Sequence, residues 1–137
     1  MTTDTNTTTA PAVDLADPTS VIDAWLVGYA EPDLARRQQI IQQAWIEAGT
    51  LIDPPFDGTG HEALSGMVDV LLTHYARHTF RRTTKVDIHH GYARYGWELV
   101  GPDGAVAVGG TDIARFADDG KLAHVVGFFG ALDTDVA

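Results

Sequence analysis

The chain has 137 residues, 45% of them hydrophobic and 20% charged, with no cysteine and a formal net charge of −10. That length suits one domain with a real core. The missing cysteines exclude disulfides, thiolate metal sites and cysteine nucleophiles, and the acidic balance argues against nucleic acid or an anionic membrane surface as partner, since both need a basic face.

No apolar run approaches the ~20 residues of a membrane-spanning helix. The first ten residues are threonine-rich and lack the basic start and apolar stretch of a secretory signal. A cytoplasmic protein is therefore expected. Residues 1–16 are low in complexity and predict a disordered tail. A single domain is expected over 17–131, with a short C-terminal tail over 132–137.

Asp17-Pro18 is a helix start, with a capping side chain and a proline at the first helical position. Val21, Ile22, Trp25, Leu26 and Tyr29 follow at helical spacing. Glu31-Pro32-Asp33 breaks this helix and opens a second. Leu34, Ile41, Ala44, Trp45 and Ala48 mark the second helix's inner face, and Gly49 is placed as its C-terminal cap. A short strand is expected over 50–53, then a loop over 54–60. Thr59-Gly60-His61-Glu62 has capping-box spacing and opens a third helix carrying Leu64, Met67, Val68, Leu71, Leu72 and Tyr75.

Strands are predicted over 80–89, 92–100, 105–116 and 122–129. Pro102-Asp103-Gly104 and Asp118-Asp119-Gly120 supply tight turns between neighbours. Tyr92, Arg94, Gly96 and Glu98 alternate with Ala93, Tyr95, Trp97 and Leu99, as in a sheet packed on one side. Helices first and meandering strands after give an α+β class.

Two acidic residues interrupt this apolar pattern. Asp53 lies in Leu51-Ile52-Asp53-Pro54, and Asp112 in Thr111-Asp112-Ile113-Ala114. Aspartate disfavours strands and is rarely buried without a partner. In apolar surroundings its pKa rises, because desolvation penalises the charged form. Such a group serves as a proton-transfer base, or as a neutral acid that donates a hydrogen bond. The competing interpretation puts both at solvated strand ends.

Three segments together resemble the nuclear transport factor 2-like superfamily, which includes SnoaL-like proteins and ketosteroid isomerase. They are the break at Glu31-Pro32-Asp33, the run Thr50-Leu51-Ile52-Asp53-Pro54 with Gly58, Gly60 and a following helix, and Thr111-Asp112-Ile113-Ala114-Arg115-Phe116 leading to Val125-Val126-Gly127-Phe128-Phe129-Gly130. The resemblance covers roughly residues 18–130. It implies a cone: a curved antiparallel sheet wrapped around N-terminal helices, with an internal pocket. It also implies a homodimer through the outer sheet face.

By this resemblance Asp53 matches the proton-shuttling aspartate of ketosteroid isomerase, and Asp112 its oxyanion-hole aspartic acid. The family's helical tyrosine falls on Trp25, with Tyr29 one turn further along the same face. Trp25 has an N–H donor but no hydroxyl, which departs from the steroid pattern and leaves the acid pair intact.

Trp25, Tyr29, Phe56, Tyr75, Trp97 and Phe128 are candidate walls for a flat organic ligand, and His61 is a candidate at the pocket mouth. Most aromatic residues at such spacings are simply core. His74 and His78, four apart on a predicted helix, have chelating spacing; a capping role near the helix end competes, and no metal is expected. Arg94 and Glu98 are expected to pair on the outer face. Gly109-Gly110 implies a sheet bend or a close approach by another group.

Two functions follow from these expectations. One is a cofactor-independent enzyme, an isomerase or polyketide cyclase of SnoaL-like type acting on an apolar carbonyl compound, with Asp53 as base and Asp112 as hydrogen-bonding acid. The other is a non-catalytic domain of the same fold that holds an apolar small molecule or a partner.

Overall fold

The computed structural model describes residues 12–136. Among them the order is α1 (Pro18–Gly28), α2 (Leu34–Ala44), β1 (Trp45–Asp53), β2 (Phe56–Thr59), α3 (His61–His74), β3 (Thr79–Arg82), β4 (Asp87–His89), β5 (Tyr92–Val100), β6 (Val106–Phe116) and β7 (Leu122–Phe129). The fold is α+β. Its curved sheet runs β2-β1-β7-β6-β5-β3, with β4 also beside β5. β1 and β7 are parallel, and every other pairing is antiparallel.

Both first helices start where their capping residues stand. Asp17 accepts from the Thr19 N–H at 3.1 Å ahead of Pro18. Asp33 accepts from Ala35 and Arg36. Each cap satisfies amide donors that the first helical turn leaves unpaired. Arg37, 2% exposed, then ties α2 to α3: its guanidinium donates to the Ser65 carbonyl at 3.2 Å and to Asp69 at 2.9 Å.

α2 is shorter than its periodicity predicts. Trp45 turns to extended geometry (φ −123°, ψ 141°) and begins a nine-residue strand. Leu34 and Ala48 are exposed, and Gly49 is a strand residue, where a Cβ would collide with the Trp45 ring. Pairing with β7 outweighs a weak helical pattern here, a tertiary override of local preference.

The expected loop over 54–60 is a hairpin. Pro54-Pro55 turns the corner, and β2 pairs back from Asp53↔Phe56 to Thr50↔Thr59. Thr59 therefore serves the sheet and not the helix. Gly60 occupies the cap position at φ 95°, with no side-chain cap bond. The predicted strand over 80–89 is two short strands, β3 and β4, both paired to β5.

The alternation in β5 holds. Ala93, Tyr95, Trp97 and Leu99 are buried. Arg94 and Glu98 do not pair with each other. Arg94 bonds Asp87 at 2.7 Å and Glu98 bonds Arg81 at 2.6 Å. Residues four apart along a strand are about 13 Å apart, whereas cross-strand neighbours are adjacent.

The core lies between the helices and the sheet. Trp25 and Trp45 meet edge to face at 5.3 Å, among Ile22, Leu51, Leu64 and Val125. Residues 12–16 are docked, contrary to the expected tail. Val13 and Leu15 pack against the core, and the Val13 N–H donates to Gln43 Oε1 at 2.9 Å. The rest of that expectation, 1–11, lies outside the described residues. Among the described residues no helix is long and apolar enough to cross a membrane.

Candidate active site

Strand register brings the two aspartates together. β1 runs parallel to β7 with Ile52 opposite Val126, so Asp53 comes level with Gly127. On the other side of β7, Gly127 is the direct partner of Asp112. Asp112 in turn lies opposite Tyr95 on β5. Asp53, Gly127, Asp112 and Tyr95 thus form one row across four adjacent strands. Gly127 is the gap in that row: a Cβ there would collide with Asp53 Oδ1 and stand 2.9 Å from Asp112 Oδ1. The two carboxyls meet in the space that the absent side chain leaves.

Both acids are buried, Asp53 at 7% and Asp112 at 4% exposure. Tyr29 on α1 donates its hydroxyl to Asp53 Oδ2 at 2.5 Å. Tyr95 donates to Asp112 Oδ2 at 3.0 Å, and the Trp97 indole N–H to Asp112 Oδ1 at 2.8 Å. Asp53 Oδ1 is buried without a hydrogen-bond partner.

This environment shifts every group in the row. Burial pushes the Asp112 carboxyl up to about 7, the charge on Asp53 adds to the rise, and the bonds from Tyr95 and Trp97 only partly offset it. Burial also raises Asp53, against the opposing bond from Tyr29. Tyr29 and Tyr95 are raised, first by burial and then by the facing aspartates, so both stay protonated donors. Two acids this close titrate as a pair. Both therefore hold a proton to higher pH than a free carboxylate does.

The row opens onto a cavity of about 570 Å³, within the range of small-molecule sites. Asp53 and Asp112 both line it, as do Tyr29, Phe56, Tyr75 and Trp97. Trp25, His61 and Phe128 are not among its lining residues. Trp25 is fully buried and stacks on Tyr29 at 4.8 Å, so it backs the tyrosine that reaches the acid. His61 Nε2 bonds the carbonyls of Trp45 and Ile46, each at 3.0 Å. Phe128 is 60% exposed, on the opposite face of β7 from Gly127. Successive strand residues alternate faces, so it is Phe129 that joins the cavity.

Tyr95, Phe80 and Phe129 belong to the site and were not singled out in sequence as its residues. The signal for Tyr95 is its inward phase on β5; its pairing with Asp112 is a long-range register. The Gly109-Gly110 signal resolves as a close approach: a Cβ on Gly110 would meet the Trp97 ring at 2.7 Å. His74 lines the cavity mouth, but α3 ends there and Arg77 turns to φ 62°, so His78 leaves the helix face. Among the described residues no three potential ligands cluster to hold a metal.

Solved structures match this fold. A SnoaL-like family protein from Agrobacterium tumefaciens is 28% identical, with a TM-score of 0.77 over 82% of this chain and 97% of its own. An NTF2-like protein of unknown function from Exiguobacterium is 19% identical, with a TM-score of 0.65 over 82% of this chain and 99% of its own. A protein with a ketosteroid isomerase-like fold from Catenulispora acidiphila, solved in complex with trimethylamine, is 14% identical, with a TM-score of 0.66 over 80% of this chain and 85% of its own. No family model and no curated relative matches the chain.

Proposed function

We propose that this chain, which carries the nuclear transport factor 2-like fold, is a small-molecule enzyme. Its chemistry is acid–base isomerisation or cyclisation of an apolar, carbonyl-bearing, polyketide-like substrate. The observation that carries this reading is the meeting of Asp53 and Asp112 across Gly127 at the wall of one cavity.

Asp53 takes the proton next to the substrate carbonyl. Tyr29 fixes one of its oxygens and leaves the other without a donor. Asp112 carries the pair's proton and donates to the developing enolate oxygen. Tyr95 and Trp97 hold it in place. A placed base contributes on the order of 10²–10⁴-fold. Phe56, Tyr75 and the Trp97 ring supply apolar walls for a flat substrate. The reaction asks for no cofactor.

Exchange at carbon tests this without knowledge of the product. A panel of ketones, lactones and aromatic polyketides is held in D₂O with the protein, and loss of the α-proton signal is followed by NMR. Wild type accelerates exchange for at least one class, and Asp53→Asn abolishes it. Binding in the cavity with no exchange for any class selects the non-catalytic ligand-binding function instead.

The outer sheet face exposes Tyr92, Ile113 and Phe128. A second copy of this chain is the proposed cover for this face, and sedimentation equilibrium reads the outcome directly.

A further inference from the structure

We propose that the cavity takes apolar organic amines in their protonated form, the ammonium N–H donating to the Asp53 and Asp112 carboxyl pair at the cavity wall. This inference rests on the reading that the cavity holds small molecules, and it names a chemical class for them.

Three independent observations converge. The first is Asp53 Oδ1 itself, a carboxyl oxygen on a residue 7% exposed, buried at the cavity wall with no donor. A buried acceptor left unpaired is costly, so a ligand that brings an N–H is favoured at that point. The second is charge. No lysine or arginine lines the cavity. Its ionisable groups are Asp53 and Asp112 on the sheet, Tyr29 at the C-cap of α1, and His74 and Tyr75 at the end of α3, with Tyr95 behind Asp112 on β5. Nothing there compensates an anionic ligand, and two acids attract a cation. The third is the aromatic wall. Tyr29 stacks on Phe80 at 4.9 Å, Phe80 meets Trp97 at 5.5 Å, and Trp97 meets Phe129 at 5.8 Å. These rings give the acids an apolar, aromatic surround that packs the body of an organic ligand.

The proton balance is explicit. At pH 6, below the value of about 7 to which Asp112 is raised, that carboxyl carries a proton. An ammonium with at least one N–H enters, the Asp112 proton leaves to solvent, and the carboxylates face the cation. Binding therefore releases up to one proton near pH 6. At pH 9, above that value, Asp112 has no proton left to release.

Isothermal titration calorimetry on the full chain tests this with four probes of similar size: benzylamine, benzyl alcohol, benzoate and trimethylbenzylammonium. Benzylamine is expected to bind at least tenfold more tightly than benzyl alcohol. Benzoate is expected not to bind. Trimethylbenzylammonium, which has no N–H, falls below benzylamine. Titrations at pH 6 in buffers of different ionisation heat show proton release with benzylamine alone. Asp53→Asn, with folding checked by circular dichroism, loses the preference for benzylamine over benzyl alcohol. Asp112→Asn, the second variant, loses proton release.

Equal or tighter binding of benzyl alcohol overturns the amine proposal and leaves the small-molecule function standing. So does undiminished amine preference in both variants. Absence of binding by all four probes overturns the amine proposal, while the carbon-exchange experiment still judges the enzyme reading separately.

Discussion

Tyr29 and Asp53 are joined across the core by a 2.5 Å hydrogen bond from phenol to carboxylate, linking the last turn of α1 to the end of β1. Because the bond favours the charged carboxylate, it holds Asp53 lower than burial alone would.

Tyr29→Phe keeps the ring stack and deletes that donor. A hydrogen bond to a charged group contributes about 1.5–3 kcal/mol. Carbon exchange is expected to fall by roughly ten- to a hundredfold, each tenfold being about 1.4 kcal/mol. The acidic limb of the pH–rate profile should move to higher pH. An unmoved limb refutes the assigned role of Tyr29.

Asp112 makes stability depend on pH in an unusual direction. Its folded pKa, about 7, lies above its unfolded value. The folded state therefore binds more protons than the unfolded chain between those values. The stability held below the unfolded pKa is lost as pH rises through about 7. The effect is on the order of 4 kcal/mol. Calorimetric Tm for wild type should decline from pH 5 to 8 relative to Asp112→Asn, which lacks this group. Parallel curves for the two proteins contradict the assignment.

Gly127→Ala inserts a methyl group where the carboxyls meet. Overpacking a filled site costs typically about 1–3 kcal/mol. The variant should melt at lower temperature and lose carbon exchange. Its two aspartate carboxyl signals, followed by carbon NMR against pH, should each titrate closer to ordinary values as the pair is forced apart. Unchanged coupled titration counts against the shared gap.

Arg37→Leu provides a contrast at residues that do not line the cavity. It deletes the donors that bind Ser65 and Asp69. Leaving the buried Ser65 acceptor unpaired costs about 1–3 kcal/mol, while the exposed Asp69 turns to solvent. Tm should drop, while the pH–rate profile keeps its shape. A shifted profile would tie the α2–α3 contact to the acids.

Asp53 and Asp112 were legible because an acidic residue inside an apolar strand needs a reason to be there. The α+β order and the caps at Asp17 and Asp33 were legible for the same local kind of reason. The phase of β7 was not. Val125, Val126, Phe128 and Phe129 are apolar on both faces, so no alternation shows which phenylalanine turns inward. Trp25 and Tyr29 share one helix face, and only the placement of α1 against β1 decides which one touches the acid. Gly127 could not be singled out, because its meaning lies in its neighbours on two other strands.

The parallel contact between β1 and β7 also orders events in time. Asp53 and Asp112 have no common neighbour until the C-terminal strand slots between theirs. A polypeptide still emerging from the ribosome carries Asp53 early, but the row is complete only when β7, Leu122–Phe129, follows Asp112 into the sheet.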